Sequence, residues 1–248
     1  MAIDVNREYY SASQPGRLDY WRKMAAPRFR VAAFLKILGD IRPANLVDLG
    51  CGNGELLREI RDRYPGIRLC GIDLSPAQTE ANLAADPSVE WRTLDLGAEQ
   101  QFPDGLRGRF DAVLASEVVE HLPHPEIFLK NALALARPGG TLLISTQSGR
   151  VGETERRVGH HRHFSAGEMA GLLERTGWRP VKVWNCGFPF HDWSKRFANL
   201  NPDKTMERFS EKRYTHFQNF VCAALRLAFK LNSSRRGAQL FAVARCIT

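Results

Sequence analysis

Three glycines at alternate positions, Gly50, Gly52 and Gly54, sit between an apolar run at 45–49 and a helix-forming stretch at 55–63. Glycine in such a turn admits positive φ and lets a ligand approach the backbone with no Cβ in the way. The next apolar run, Leu69-Cys70-Gly71-Ile72-Asp73, ends on a carboxylate. It lies roughly 20 residues past the turn, where an acid can accept both hydroxyl hydrogens of a ribose. A dinucleotide turn reads G-x-G-x-x-G, which seats a pyrophosphate on a helix N-terminus. Here the third glycine comes one residue early and Glu55 follows it. A carboxylate at that helix start would repel a diphosphate, and Asp48, inside the strand end, suits a cation. The charges fit an adenosine cofactor that has no phosphates and carries an ammonium group, S-adenosylmethionine (SAM).

A second group follows the run Phe110–Ser116 as Ser116-Glu117-Val118-Val119-Glu120-His121-Leu122. A helix here would set Glu117, Glu120 and His121 at i, i+3 and i+4 on one face. Such donors can hold a divalent metal, which would bind and acidify an acceptor hydroxyl. A polar cap on a pocket rim is the alternative. The charged loop 147–164 ends in His160-His161-Arg162-His163, a source of a further ligand or a general base.

These residues need elements to position them. Runs at 45–49, 69–73, 89–93, 110–116, 141–146, around 181–184 and 239–245 read as strands. Between them, 55–63, 76–85, 125–136 and 166–176 read as helices, with Pro138-Gly139-Gly140 as a stop. Alternation of this kind implies an α/β fold, a Rossmann-like and mostly parallel sheet with helices on both faces and ligands at the carboxyl ends of the strands.

Asp48 to Gly54, Gly71 to Ser75, Asp95-Leu96, Phe110-Asp111-Ala112-Val113 and Arg137-Pro138-Gly139-Gly140 together resemble the ordered motifs of class I SAM-dependent methyltransferases. The resemblance is closest to the ubiquinone-biosynthesis O-methyltransferase-like group. It implies a seven-stranded sheet with the last strand antiparallel. Gly50, Gly52 and Gly54 would line the methionine part of SAM, Asp73 would hold the ribose, and Asp95 with the Leu96 backbone the adenine edge. Asp48, Cys51, Leu74 and Ser116 would join that lining, and Arg30, placed as in the ubiquinone enzymes, would face the SAM carboxylate.

The E-V-x-E-H segment is similar to one in those enzymes and in the RNA 3′-terminal 2′-O-methyltransferases. By that likeness Glu117, His121 and His160 are the expected catalytic residues. Glu117, Glu120, His121 and His160 are the expected ligands of Mg²⁺, Mn²⁺ or Zn²⁺. Alignment on the ubiquinone enzymes instead puts Gly159 where His160 would stand. The resemblance implies methyl transfer to a small-molecule acceptor, at a hydroxyl. An RNA 2′-O-methyltransferase and a SAM-binding module without turnover are the rivals, with a nicotinamide oxidoreductase last.

The chain has 248 residues, 44% hydrophobic and 25% charged, with a net charge of +8, which excludes disordered, collagenous and small stapled classes. Cysteines at 51, 70, 186, 222 and 246 form no C-x-x-C pair, so neither a zinc module nor a disulfide framework is indicated. With no apolar leader and no membrane-length apolar run, a cytoplasmic protein is expected.

The organisation reads as an N-terminal helical and aromatic cap (1–43), a SAM-binding core (44–186), a basic and aromatic helical insertion (187–237) and a final core strand (238–248). Tyr9, Tyr10, Tyr20 and Trp21 are candidates for an aromatic lid over the cofactor. In the insertion Lys195, Arg196, Lys204, Arg213 and other bases outnumber Asp192, Asp203, Glu207 and Glu211. A helix from about Met206 to Leu231 is expected there, as a lid or as a contact with an anionic or lipid-linked substrate or a membrane surface.

Overall fold

A computed structural model describes residues 18–100, 102, 103, 105–210 and 213–247. Tyr9 and Tyr10 lie outside the described residues. The strands are β1 (Asn45–Leu49), β2 (Arg68–Asp73), β3 (Glu90–Thr93), β4 (Phe110–Ser116), β5 (Ala136–Gln147), β6 (Trp178–Cys186) and β7 (Gln239–Cys246). They form one seven-stranded sheet in the order β3-β2-β1-β4-β5-β7-β6. Strands β1 to β5 pair in parallel, and β7 runs antiparallel to both β5 and β6. This is the doubly wound sheet the alternating pattern implied.

Helices α1 (Leu18–Lys23) and α2 (Ala25–Ile41) precede β1, and α3 (Glu55–Arg63), α4 (Pro76–Ala85) and α5 (Pro125–Leu135) are crossovers. Next come α6 (Glu153–Arg157) and α7 (Ala166–Arg175), then α8 (Phe190–Leu200), α9 (Pro202–Ser210) and α10 (His216–Phe229) between β6 and β7. Successive strand residues point to opposite faces. Thus Val47, Leu49, Val113 and Ala115 pack with Phe128 of α5 and Leu173 of α7. Leu46, Ala112 and Leu114 pack with Phe34 of α2 and Ile60 of α3 on the other side. Burial on both faces is why these strands read as unbroken apolar runs. The chain leaves β1 toward β2 on one side and later returns as β4 on the other, which opens a crevice at the carboxyl ends of β1 and β4.

Trp91 of β3 wedges beneath the glycine turn. A Cβ on Gly71 would stand 2.5 Å from its ring and 3.0 Å from Cys51 Sγ, and one on Gly54 would also stand 2.5 Å from the ring. These two glycines are therefore required by packing as well as by any ligand. Gly71→Ala should destabilise the fold by about 1–3 kcal/mol, the usual cost of overpacking. Urea unfolding of Gly71→Ala, Trp91→Leu and the double variant checks this; additive losses would show that the ring is not the obstacle.

The insertion differs from expectation. The helix expected from Met206 to Leu231 is two helices, because Thr215 begins a new one. Its hydroxyl accepts the Gln218 N–H at 3.3 Å, while Gln218 Oε1 accepts the Thr215 N–H at 2.6 Å, a reciprocal capping box. The Pro-Gly-Gly stop lies inside β5, which begins directly after α5.

Candidate functional site

The crevice has a pocket lined by Arg30, Asp48, Gly50, Gly52, Asn53 and Ser116, with Trp21 at its edge. Each arrives there for a local reason. Asp48 points to the α2 side of β1 because it shares parity with Leu46, and α2 presents Arg30, Val31 and Phe34 to it. Gly52, with φ of +50°, has nothing within 4 Å of where a Cβ would be, so its backbone is open to a ligand. Asp73 at the end of β2 fixes the turn from below, its carboxylate accepting the Gly52 N–H at 2.8 Å and the Ser75 N–H at 3.0 Å. Cys51 faces inward; burial, with Asp73 and Asp48 nearby, pushes its thiol well up, so it offers only backbone. Asp95 accepts the Gly97 N–H at 3.0 Å, and Leu94 N–H donates to the Asp73 carbonyl at 3.0 Å, so Asp95 and Leu96 stand beside Asp73 and Leu74. Asn131 of α5 donates to the Leu96 carbonyl at 3.0 Å and the Ala98 carbonyl at 2.7 Å and holds that loop.

Three buried atoms of this pocket have no protein partner, the acceptor Asp48 Oδ1 and the donors Arg30 Nε and Asn53 Nδ2. Unpaired buried polar groups are costly unless a ligand completes them. An acceptor and a donor match the ammonium and the carboxylate of a methionine moiety, so the residues fit SAM. Glu55 carries less of the argument than the sequence suggested, because Arg22 at 3.0 Å and Arg58 at 3.6 Å match its charge.

Burial, with the charge of Asp73 added, raises the Asp48 carboxyl to about 8. Asp48 thus holds a proton at neutral pH, and an ammonium seated against it needs that proton removed. Binding that releases a proton strengthens as pH rises, so SAM affinity should increase about tenfold between about pH 6 and pH 7. Titration calorimetry in two buffers of different ionisation enthalpy reads both effects. Equal affinities and no proton release would remove Asp48 from the ammonium site.

Beyond β4 the expected helical face is not formed. Glu117 has φ of +56°, the left-handed region, and Val119–His121 is a single 3-10 turn. The Glu117 side chain is therefore directed apart from Glu120 and His121. Its carboxylate accepts hydrogen bonds from Ser145 Oγ at 3.1 Å, Gln147 Nε2 at 2.5 Å and Gln239 Nε2 at 3.0 Å, with Arg30 Nη1 3.7 Å away. Burial alone would raise its pKa, but the Arg30 charge and the two amides hold it at about 2. Glu117 is not among the donor atoms that cluster below; its carboxylate joins Arg30 of the cofactor pocket to β5 and β7.

Glu120, His121 and His160 are brought together, one donor atom from each lying within 4.8 Å of the others. His160 stands there because the loop is clamped to the turn, with His161 N–H donating to the Glu120 carbonyl at 2.8 Å and His160 N–H to the Glu155 carbonyl at 3.0 Å. The Phe164 N–H closes the loop on the Gln147 carbonyl at 3.0 Å. His160, not Gly159, is thus the residue at this place. Glu120 is fully buried; Thr146 Oγ1 donates to Oε2 at 2.7 Å and Oε1 has no partner. Burial and the Glu117 charge raise its pKa well above the carboxylate range. Burial keeps His121 at about 4 and, with His121 beside it, His160 at about 2, so both imidazoles are neutral. His163 Nε2 lies 2.9 Å from His160 Nδ1 and orients the ring.

Sequence reasoning missed five partners. Gln147 and Gln239 meet only through the β5–β7 register, in which they are paired. Thr146 and Asn131 were polar breaks in apolar elements, a signal that was available. Lys195 comes from α8, its Nζ donating to Gln147 Oε1 at 2.8 Å and lying 3.3 Å from Glu155.

A family model described as "Methyltransferase domain" matches residues 20–183. The ubiquinone biosynthesis O-methyltransferases of Xanthomonas campestris pv. campestris (strain B100) and Bradyrhizobium diazoefficiens are similar at 36% identity over 142 residues and 39% over 137. These matches cover 54% and 53% of this chain and 50% of each relative, so the chain spans about half the length of the curated relatives it matches. Among solved structures, phosphoethanolamine N-methyltransferase 2 of Haemonchus contortus, in complex with SAM, superposes with a TM-score of 0.64 at 15% identity. The match covers 98% of this chain and 60% of that one, a likeness of fold alone. The family match runs from α1 into β6, through the elements that build the crevice, and the chain belongs to the methyltransferase domain family.

Proposed function

We propose that this protein is an enzyme that transfers the methyl group of SAM to a hydroxyl of a small acceptor, with a divalent metal at Glu120, His121 and His160. The observation that carries the reading is the convergence of those three donors beside a pocket whose unpaired Asp48 and Arg30 atoms fit methionine. Asp48 and Arg30 would bind the amino-acid end, Gly52 would admit it against the backbone, and Asp73 and Asp95 would hold the ribose and adenine. Glu117 would keep Arg30 in place. A divalent ion held by the triad would lower the pKa of an acceptor hydroxyl bound to it. One carboxylate and two neutral imidazoles suit Zn²⁺ or Mn²⁺ better than Mg²⁺, which prefers oxygen. SAM held there would supply its methyl group to the acceptor oxygen in line, its carbon–sulfur bond giving the electron pair to sulfur to leave S-adenosylhomocysteine, with the hydroxyl proton going to solvent. Holding oxygen, carbon and sulfur aligned is worth roughly 7–11 kcal/mol in such reactions.

Support for oxygen as the acceptor comes from the relatives, which are named as O-methyltransferases of ubiquinone biosynthesis. The SAM-bound structural neighbour is named as an N-methyltransferase, so the fold does not choose the atom. The test is turnover of SAM with small catechols against matched aromatic amines, before and after chelation. Methyl found on oxygen, lost with chelator and restored by Mn²⁺ or Zn²⁺, is the expected result. Methyl found on nitrogen or carbon would overturn the hydroxyl assignment.

A further inference from the structure

The insertion has an outer face that the crevice does not use. On α8, His191, Lys195 and Asn199 point inward, His191 being buried and Asn199 Nδ2 donating to Glu155 at 2.9 Å. Trp193, Phe197 and Leu200, at i, i+4 and i+7, lie on the opposite side and are 46%, 70% and 77% exposed. Helix α10 is divided in the same way. Cys222 meets Met24 and Phe229 meets Phe29, which seats the helix on α2 and the segment before it. Outward, Phe217, Phe220 and Leu227 are 74%, 70% and 64% exposed. With the exposed Ala224 they follow a spacing of three, four and three residues, one stripe of the helix. Leu231, just beyond the helix, is 74% exposed and extends the stripe to about 20 Å. The two helices pack against each other.

Exposed aromatic stripes on two neighbouring helices are not what a free surface keeps in water. Charge selects the occupant. Arg196 borders the α8 stripe, Arg226 and Lys230 flank the α10 stripe, and Arg213, Arg235 and Arg236 are exposed nearby. Among the described residues of the insertion, Asp203 is tied to Arg157 and Asp192 accepts the Ala238 N–H, leaving Glu207 as the exposed acid without such a tie. No helix among the described residues is long and apolar enough to cross a membrane. A helix with a short apolar stripe and basic flanks lies in the headgroup region of a bilayer, its rings among the acyl carbons and its cations on anionic lipid.

We propose that the outer face of α8 and α10 docks this protein on the surface of an anionic lipid bilayer. The proposal is independent of which acceptor is methylated. Because α10 rests on α2, which carries Arg30, docking would set the cofactor crevice near the lipid surface.

The test is flotation of the full chain with vesicles of phosphatidylglycerol and phosphatidylcholine, against phosphatidylcholine alone. The protein should rise with the anionic vesicles and partition roughly tenfold less onto the neutral ones at about 0.1 M salt. Phe217→Ser with Phe220→Ser should lose about tenfold or more of that partition, with circular dichroism and melting unchanged because both rings already stand in water. Phe197→Ser, on the separate helix α8, reads the same face should the α10 variant fail to fold. Arg226→Gln with Lys230→Gln should abolish the preference for anionic lipid. Protein that stays at the bottom with both vesicles overturns the proposal. So does a phenylalanine-dependent dimer in lipid-free light scattering without vesicle binding, which would assign the face to a second copy of the chain, or retention of an RNA oligomer without vesicle binding.

Discussion

Asp73→Ala is expected to weaken SAM binding about a hundredfold by calorimetry, because one carboxylate serves two purposes. Toward the ligand it is the acceptor for the ribose hydroxyls, and loss of a buried hydrogen bond to a charged group costs on the order of 1.5–3 kcal/mol. Toward the protein it accepts the Gly52 and Ser75 N–H groups, so its removal also loosens the turn that receives the methionine part. Thermal melting without ligand separates the two. A variant that melts a few degrees lower and has lost SAM fits both roles, whereas one that melts lower and binds SAM as tightly as wild type shows Asp73 to be a support of the turn alone.

Glu120→Gln should reduce both divalent-metal affinity and turnover by on the order of a hundredfold or more, since a neutral amide is a poor ligand. The substitution is nearly isosteric, and its carbonyl oxygen can still accept the Thr146 hydroxyl, so the fold should survive. Glu117→Gln provides the contrast. Glu117 lies outside the triad and against Arg30, so its loss should appear in SAM affinity more than in metal affinity. Metal titration by calorimetry on wild type and both variants reads the difference. Turnover that survives chelation and is unchanged in Glu120→Gln would reduce the triad to a polar pocket rim and leave alignment as the mechanism.

The parallel core was legible because its strands are buried on both faces and bounded by glycine and proline. Asn45–Leu49 and Phe110–Ser116 could be read to the residue. The glycine turn and its acid were equally plain, since a strand-to-helix turn and the strand end beside it are local patterns joined by one crossover. The insertion was less so. Phe217, Phe220 and Leu227 read as one apolar helix with its flanks, but sequence cannot say that the ring-bearing face looks outward or that Thr215 and Gln218 start a new helix.

The sequence by itself determined the sheet and the glycine turn, and it marked Glu117, Glu120, His121 and His160 as a set of candidate donors. Only the tertiary structure decided how that set divides. The spacing of Glu117, Glu120 and His121 satisfies a helix, yet the chain leaving β4 takes a left-handed turn at Glu117, and the partners that receive its carboxylate come from strands about 30 and 122 residues away. Contacts of that kind depend on the β5–β7 register and on the loop that sets His160 against Glu120, where the free energy comes from pairing distant main-chain groups and leaves no periodicity in the sequence.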